Sequence, residues 1–136
     1  MSMYKRLTHI GIAVRSLSVS QDLFSKLFDM EPVHTEEVPD QRVRATFFRI
    51  GEGGVELLEP TSPDSPIAKF IEKKGEGVHH LSYEVVDIDA EIVRLKQAGF
   101  QMIDEHPRKG ADGFRIAFLH PKSTNGVLVE ISERMK

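Results

Sequence analysis

Two histidines and two glutamates lie in apolar segments of this sequence, where titratable side chains call for a chemical explanation. His9 and His80 lie in the segments LTHIGIAV and VHHLSYEV, and Glu56 and Glu130 lie in VELLE and VLVEI. Carboxylates are rarely buried without a partner. Two imidazoles and two carboxylates would supply N2O2 ligands and leave two positions of an octahedral ion for water or substrate. Such ligands suit Co²⁺, Ni²⁺, Mn²⁺, Fe²⁺ or Zn²⁺ better than Ca²⁺ or Mg²⁺.

An internal repeat relates the four residues. His80 follows His9 by 80 − 9 = 71 positions, Glu56 follows His9 by 47, and Glu130 follows His80 by 50. Each histidine segment is followed by a helical pattern, by further strand-like segments, and by a closing strand with its glutamate. A pseudo-twofold relation between the repeats would bring all four side chains into one cleft.

The elements that must position these residues are predicted from apolar spacing and from capping residues. Strand residues alternate between two faces, so His9 shares a face with Gly11, and His80 shares one with Ser82. Three helices are predicted from their boundary residues. These are Ser18 for the first helix, Ser65, Pro66 and Gly75 for the second, and Asp87 or Asp89 with Gly99 for the third.

The fold class predicted from these patterns is α+β, with two tandem βαβββ modules forming a curved mixed sheet around a metal-binding cleft. Module one covers about 5–60, a connecting helix about 65–75, and module two about 77–133. The whole chain, 1–136, is expected to form one domain.

Composition excludes several classes of function. The 136 residues include 18 Lys and Arg against 21 Asp and Glu, for a net charge of −3, and no cysteine. Disulfides, thiolate metal sites and cysteine nucleophiles are therefore impossible. The charges are interspersed, so a nucleic-acid partner is not expected. No apolar run reaches the roughly 20 residues of a membrane helix, and a cytoplasmic location is expected.

These residues and segments resemble the vicinal oxygen chelate (glyoxalase/bleomycin-resistance/dioxygenase) superfamily. Within it, VELLEPTSPDSPIAKFIEKKGEGVHHLSYEV and IAFLHPKSTNGVLVEI resemble the methylmalonyl-CoA epimerase family. The resemblance implies an isomerase that acts on a CoA thioester. It would interconvert (2R)- and (2S)-methylmalonyl-CoA by metal-assisted proton abstraction at C2 through an enolate. It also implies a divalent ion on His9, Glu56, His80 and Glu130, with Co²⁺ the first choice and Ni²⁺, Mn²⁺, Zn²⁺ or Fe²⁺ as alternatives.

The resemblance also points to acid/base residues, because inversion at C2 suits two groups on opposite sides of the carbon. Glu130 is one candidate. Some family members place the other on a glutamate whose position corresponds here to Ala45. Glu37, Gln41 and His120 are the candidate replacements, and His79 is expected either to be structural or to contact a metal ligand.

Substrate binding and assembly are the remaining expectations. Lys109, Arg115 and Lys122 are candidates for binding the CoA phosphates, and a homodimer is expected. Two other functions stay open: a glyoxalase I-type lactoylglutathione lyase, and a non-enzymatic small-molecule-binding protein of the same fold. Metal content separates the binding protein from the enzymes.

Overall fold

A computed structural model describes residues 2–135 and shows eight strands and three α-helices. The elements are β1 (Tyr4–Ala13), α1 (Leu17–Phe28), β2 (His34–Val38), β3 (Val43–Ile50), β4 (Gly53–Pro60), α2 (Pro66–Lys74), β5 (Gly77–Val85), α3 (Ile88–Gln97), β6 (Arg108–Lys109), β7 (Phe114–Leu119) and β8 (Val129–Arg134). The predicted α+β class with a mixed sheet is confirmed. None of the helices in the described range has the length and apolar character that a membrane crossing requires.

The chain divides into two compact units. The central unit is residues 10–79, and the discontinuous unit is residues 1–9 with 80–136. These units are divided inside β1 and β5, whereas the predicted modules at about 5–60 and 77–133 begin and end near the ends of elements. The modules stay a prediction.

In the central unit the strand order is β2-β3-β4-β1, with β1 parallel to β4 and the other pairs antiparallel. Helix α1 begins after Ser16, whose hydroxyl accepts a hydrogen bond from Val19 N at 3.3 Å, two residues before the predicted Ser18. Its Leu17 packs with Phe48 and Leu57 of the sheet. Because strand residues alternate, these contacts leave Glu56 on the opposite face, away from α1.

In the discontinuous unit β8 lies between β5 and β7, parallel to β5 and antiparallel to β7. Asp87 caps α3 by accepting a hydrogen bond from Ala90 N at 3.1 Å, so the first of the two predicted capping residues is the one used. Ile92 of α3 packs in a buried cluster with Ala117 and Ile131. The same alternation turns Glu130 to the face away from α3.

Helix α2 has the predicted boundaries. The hydroxyl of Ser65 accepts a hydrogen bond from Ile67 N at 3.1 Å, Pro66 is the first helical residue, and Gly75 ends the helix with φ of 80°. Proline suits the first turn because that turn has no use for its missing N–H. Glycine adopts the positive φ without a Cβ penalty.

Candidate metal centre

Three of the four predicted ligands come together in the discontinuous unit. His9 Nε2 lies 3.1 Å from His80 Nε2, and Glu130 Oε1 lies 3.5 Å from the first and 3.7 Å from the second. His80 and Glu130 are buried, and the side chain of His9 is 15% exposed. Two imidazole nitrogens and a carboxylate oxygen therefore converge on one point.

The separations of these three atoms fit a divalent transition metal. Ligand atoms about 2.1 Å from an ion lie about 3.0 Å apart at adjacent octahedral corners and about 3.4 Å apart in a tetrahedron. The observed 3.1–3.7 Å separations are close to those values. Nitrogen and carboxylate ligands are also the donor set that such ions prefer.

Thr8 determines which nitrogen of His9 carries the proton. Its hydroxyl donates to the carbonyl oxygen of Ser82 at 3.0 Å, and its oxygen lies 3.2 Å from His9 Nδ1. A carbonyl can only accept, so the single hydroxyl proton is committed to Ser82. The oxygen then accepts from Nδ1–H, which leaves Nε2 with the lone pair that a metal requires.

Neighbouring side chains surround His80 and Glu130. The ring of Phe118 meets the His80 ring edge-on, with centroids 5.6 Å apart, and is opposite Glu130 in the β7–β8 register. Ser82 is opposite Glu130 on the other side, in the β5–β8 register. The Ser82 hydroxyl is fully buried and has no hydrogen-bond partner among residues 2–135. A buried polar atom without a partner is costly, and a bound group would satisfy it.

Glu84, two residues beyond Ser82, neutralises cations at the other end of β5. It accepts a hydrogen bond from Arg6 Nε at 2.8 Å, and Lys5 Nζ lies 3.4 Å away. Burial acts to raise the pKa of Glu84, but the hydrogen bond and charge of Arg6 outweigh it and hold that pKa below its usual range. This ion pair is thus a structural contact of β1 with β5.

The fourth predicted ligand, Glu56, belongs to the central unit. It is buried in β4 and lies opposite Gly11 of β1, two residues along that strand from His9. The same row of the sheet continues through Phe47 to His34. Glu56 therefore lies on the face of the central unit that α1 leaves uncovered.

The predicted replacements for the missing base lie in different surroundings. Ala45 is buried in β3, and the residue opposite it on β2 is Glu36. Glu37 is opposite Arg44, 3.7 Å from its guanidinium, and therefore lies on the other face of the strand. Gln41 ends a turn of 3-10 helix.

His120 is engaged in a local turn. It precedes the 3-10 helix Pro121–Thr124, and its Nδ1 accepts a hydrogen bond from the backbone N–H of Lys122 at 3.0 Å. Lys122 is exposed.

Two of the predicted phosphate-binding cations are on the face away from Glu130. Arg115 is held by Asp89 at 2.7 Å and by Glu133 at 3.5 Å, which raises the pKa of its guanidinium. Lys109 is opposite Arg115 in the β6–β7 register and shares its face.

Sequence reasoning missed Arg108. It pairs with Ile116, on the Phe118 face, and its guanidinium lies 5.9 Å from the Phe118 ring centroid. Arg108 and Lys109 are adjacent in a strand, so they point to opposite faces. Once the register of β6 is known, this alternation identifies Arg108 as the residue on the Phe118 face.

His79 is half-buried and packs against α2. Its ring meets Phe70 of α2 edge-on at 4.9 Å. Burial lowers the pKa of the His79 imidazole to about 4. It is therefore uncharged at neutral pH.

Comparison with known proteins gives a family and close relatives. The sequence model of the Glyoxalase/Bleomycin resistance protein/Dioxygenase superfamily matches residues 8–118. The ethylmalonyl-CoA/methylmalonyl-CoA epimerase of Cereibacter sphaeroides is 39% identical over 133 residues, which cover 96% of this chain and 99% of the relative. The mitochondrial methylmalonyl-CoA epimerase of Homo sapiens is 36% identical, with 94% and 73% covered.

Solved structures agree with the sequence relatives. A variant of Streptomyces coelicolor methylmalonyl-CoA epimerase, in complex with 2-nitronate-propionyl-CoA, superposes with a TM-score of 0.93 at 36% identity. The match covers 96% of this chain and 95% of that one.

Proposed function

Because the chain belongs to the methylmalonyl-CoA epimerase family of the glyoxalase superfamily, we propose that it interconverts (2R)- and (2S)-methylmalonyl-CoA by moving the proton at C2. The observation that carries the proposal is the convergence of His9, His80 and Glu130 within 3.7 Å of one another. The substrate is inferred from the family, and the reaction site is inferred from these three side chains.

We propose that His9, His80, Glu130 and Glu56 hold one divalent metal, with Co²⁺ as the first choice. The donor separations in the discontinuous unit support the first three, and the position of Glu56 opposite Gly11 supports the fourth. These residues would hold the cation, which would supply Lewis-acid stabilisation of the enolate charge.

The chain's own residues then bind, orient and move the proton. Thr8 keeps His9 Nε2 unprotonated, and the Phe118 ring packs edge-on against the His80 ring. Glu130 presents Oε1 to the two imidazoles, and we assign its Oε2 to the C2 proton. Deprotonation leaves the electron pair of the C–H bond in the substrate as an enolate. Reprotonation on the other face of C2 completes the inversion.

The test is exchange of the C2 proton with solvent. Purified protein loaded with Co²⁺ is incubated with methylmalonyl-CoA in D2O, and loss of the C2 proton is followed by NMR beside a metal-stripped sample. Metal-dependent exchange well above background is expected, and Glu130→Gln is expected to reduce it by about 10²–10⁴-fold. Absence of exchange with metal bound contradicts the proposal. Turnover of the glutathione hemithioacetal of methylglyoxal instead would assign a glyoxalase I-type activity.

We also propose that the protein is a homodimer that pairs through α1. Val19, Leu23 and Leu27 repeat every four residues along this helix and remain between 61% and 69% exposed. Asp22 and Lys26 flank them and pair at 3.1 Å. A second copy packed antiparallel about Leu23 would bury both apolar rows and place Asp22 of each copy near Lys26 of the other.

Light scattering tests this assembly. The wild type is expected at twice the 15.4 kDa chain mass, and Leu23→Glu at the monomer mass. Val93→Glu is the control, because Val93 is a similarly exposed residue on α3. A monomeric wild type, or a dimer that survives Leu23→Glu, contradicts the pairing. Cytoplasmic location and phosphate binding by Lys122 stay predictions.

A further inference from the structure

A guanidinium lies on the face of the discontinuous unit that carries Glu130. Arg108 of β6 is opposite Ile116 of β7, and its guanidinium carbon lies 5.9 Å from the centroid of the Phe118 ring. Phe118 is directly opposite Glu130 on β8 and is two positions from Ile116, so all four residues share one face. The Arg108 side chain therefore extends toward the row that holds Glu130, and it remains 34% exposed.

The protein itself leaves part of this guanidinium unsatisfied. Arg108 Nε is buried and has no hydrogen-bond partner among residues 2–135, although Asp104 Oδ1 lies 3.3 Å away as an ion-pair contact. The other carboxylate oxygen of Asp104 accepts a hydrogen bond from Phe118 N at 2.8 Å, so this carboxylate is engaged by the backbone of β7. A buried charged donor without an acceptor is costly, and a bound anion would satisfy it.

A second unsatisfied polar group lies on the same face. The Ser82 hydroxyl is fully buried, has no hydrogen-bond partner within the described range, and belongs to the residue opposite Glu130 in the β5–β8 register. Residues directly opposite one another in a sheet point to the same side. Arg108 and Ser82 therefore both present unsatisfied polar atoms on the face that carries Glu130. A polar ligand seated on this face would satisfy them.

The chemistry of a guanidinium favours a carboxylate as that ligand. Nε–H and the neighbouring Nη–H of Arg108 point in parallel and match the two oxygens of a carboxylate. In a methylmalonyl thioester the free carboxylate is attached to C2 itself, the carbon whose proton we assign to Glu130. The phosphates of CoA are separated from C2 by the whole pantetheine arm. The anion that Arg108 meets one row from Glu130 is therefore the acyl carboxylate rather than a phosphate.

We propose that Arg108 binds the free carboxylate of the acyl group and thereby selects dicarboxylic acyl-CoA thioesters over monocarboxylic ones. This inference rests on the proposed function. A thioester without the carboxylate leaves Arg108 Nε unsatisfied, and a site built to pair with a polar group discriminates against analogues that lack it. Pairing also neutralises the carboxylate, so the charge of the enolate develops beside a neutralised group rather than beside an anion.

Lys109 is the matched comparison, because it is the adjacent cation on the same strand. It is opposite Arg115 and lies on the face away from Glu130. Substituting it changes the net charge of the protein by the same amount as substituting Arg108. A contact of Lys109 with a CoA phosphate would affect every CoA thioester alike, so the ratio of affinities for two thioesters is insensitive to that contact.

The experiment uses malonyl-CoA and acetyl-CoA, which differ by one carboxylate. Isothermal titration calorimetry measures the dissociation constant of each thioester for Co²⁺-loaded wild type, Arg108→Gln and Lys109→Gln. The wild type is expected to prefer malonyl-CoA, and Arg108→Gln is expected to lower that preference by about 10–100-fold through weaker binding of malonyl-CoA alone. Lys109→Gln is expected to keep the wild-type preference. Arg108→Lys keeps the charge but loses the two parallel donors, and its preference is expected to fall between.

Bound Co²⁺ and the thermal midpoint of each variant are measured alongside, and Arg108→Lys serves the same comparison if the glutamine variant is unfolded. Equal affinity of the wild type for the two thioesters, an unchanged preference in Arg108→Gln, or equal weakening of both thioesters would each overturn the assignment. A preference lowered as much in Lys109→Gln would overturn it too. These affinities are read without turnover. Absence of C2 exchange in the metal-loaded wild type would instead overturn the proposed function.

Discussion

Replacing Thr8 with valine removes one hydroxyl group beside the proposed metal and changes little else. Valine has nearly the shape of threonine, so the change leaves the local volume intact. The hydroxyl makes two contacts, at 3.0 Å to the Ser82 carbonyl and at 3.2 Å to His9 Nδ1. Thr8→Val therefore releases His9 to carry its proton on either nitrogen.

Two free energies are expected to change. Losing the outer partner of a metal-binding histidine typically weakens metal binding by about 10–100-fold, or about 1.4–2.7 kcal/mol. The Ser82 carbonyl also loses a donor in a buried region, which is expected to lower the free energy of unfolding by about 1–3 kcal/mol. The first change requires metal, and the second is present in the metal-free protein.

Competition between the protein and a chelator of known Co²⁺ affinity measures the loss of metal binding. Urea unfolding of metal-free protein measures the loss of free energy of unfolding. Long-range ¹H–¹⁵N NMR of the metal-free protein near pH 8 reports which ring nitrogen of His9 is protonated, with His9→Gln to assign its signals. Wild type and Thr8→Ser are expected to show Nδ1–H, and Thr8→Val is expected to shift toward Nε2–H. Nε2–H in the wild type, or unchanged Co²⁺ affinity in Thr8→Val, would refute the reasoning.

Three further results are expected. Arg94 forms two hydrogen bonds of 2.7 Å to the fully buried Glu91, so Arg94→Ala is expected to lower the urea midpoint, and an unchanged midpoint would contradict this. Burial acts to raise the pKa of Glu91, but hydrogen bonds from Arg94 and Tyr4 hold that pKa below its usual 4.5. As pH falls, the Glu91 carboxylate is therefore protonated in the unfolded chain before it is protonated in the folded protein. Urea unfolding is expected to show its contribution fully present above about pH 4.5 and lost below it, with a flatter profile in Arg94→Ala. Metal at 100 times its dissociation constant is expected to raise the free energy of unfolding by about 2.7 kcal/mol. Calorimetry is expected to show this as a higher thermal midpoint. A chelator is expected to reverse the increase, and the double substitution His9→Gln with His80→Gln is expected to abolish it.

The elements and the ligand types could be predicted from sequence because their signals are local. Apolar spacing and capping residues determined α2 at Ser65, Pro66 and Gly75, and they identified Asp87 as one of two candidate caps. The predicted start of α1 lies two residues late, since Ser16 and Ser18 are both good caps and only tertiary contacts distinguish them.

Register could not be predicted, because it depends on pairing between distant strands. The sequence offered Glu37 and Lys109, and the structure places their neighbours Glu36 and Arg108 on the faces of Glu56 and Glu130. A one-residue error along a strand moves a side chain to the opposite face. Each repeat pairs its first strand with its last. A local sequence pattern therefore does not show which of two adjacent residues lies on the face that carries the glutamate of the closing strand.

The discontinuous unit has a consequence for how the protein is made. Residues 2–9 are synthesised before their partners, which come after residue 79: Val86 N–H donates to the Met3 carbonyl, and Thr8 donates to that of Ser82. The central unit, residues 10–79, is continuous and can begin to order during synthesis. The segment that carries His9 therefore waits for these partners until residues 82 and 86 have been made. We therefore expect metal capture to follow synthesis of the strand that carries Glu130.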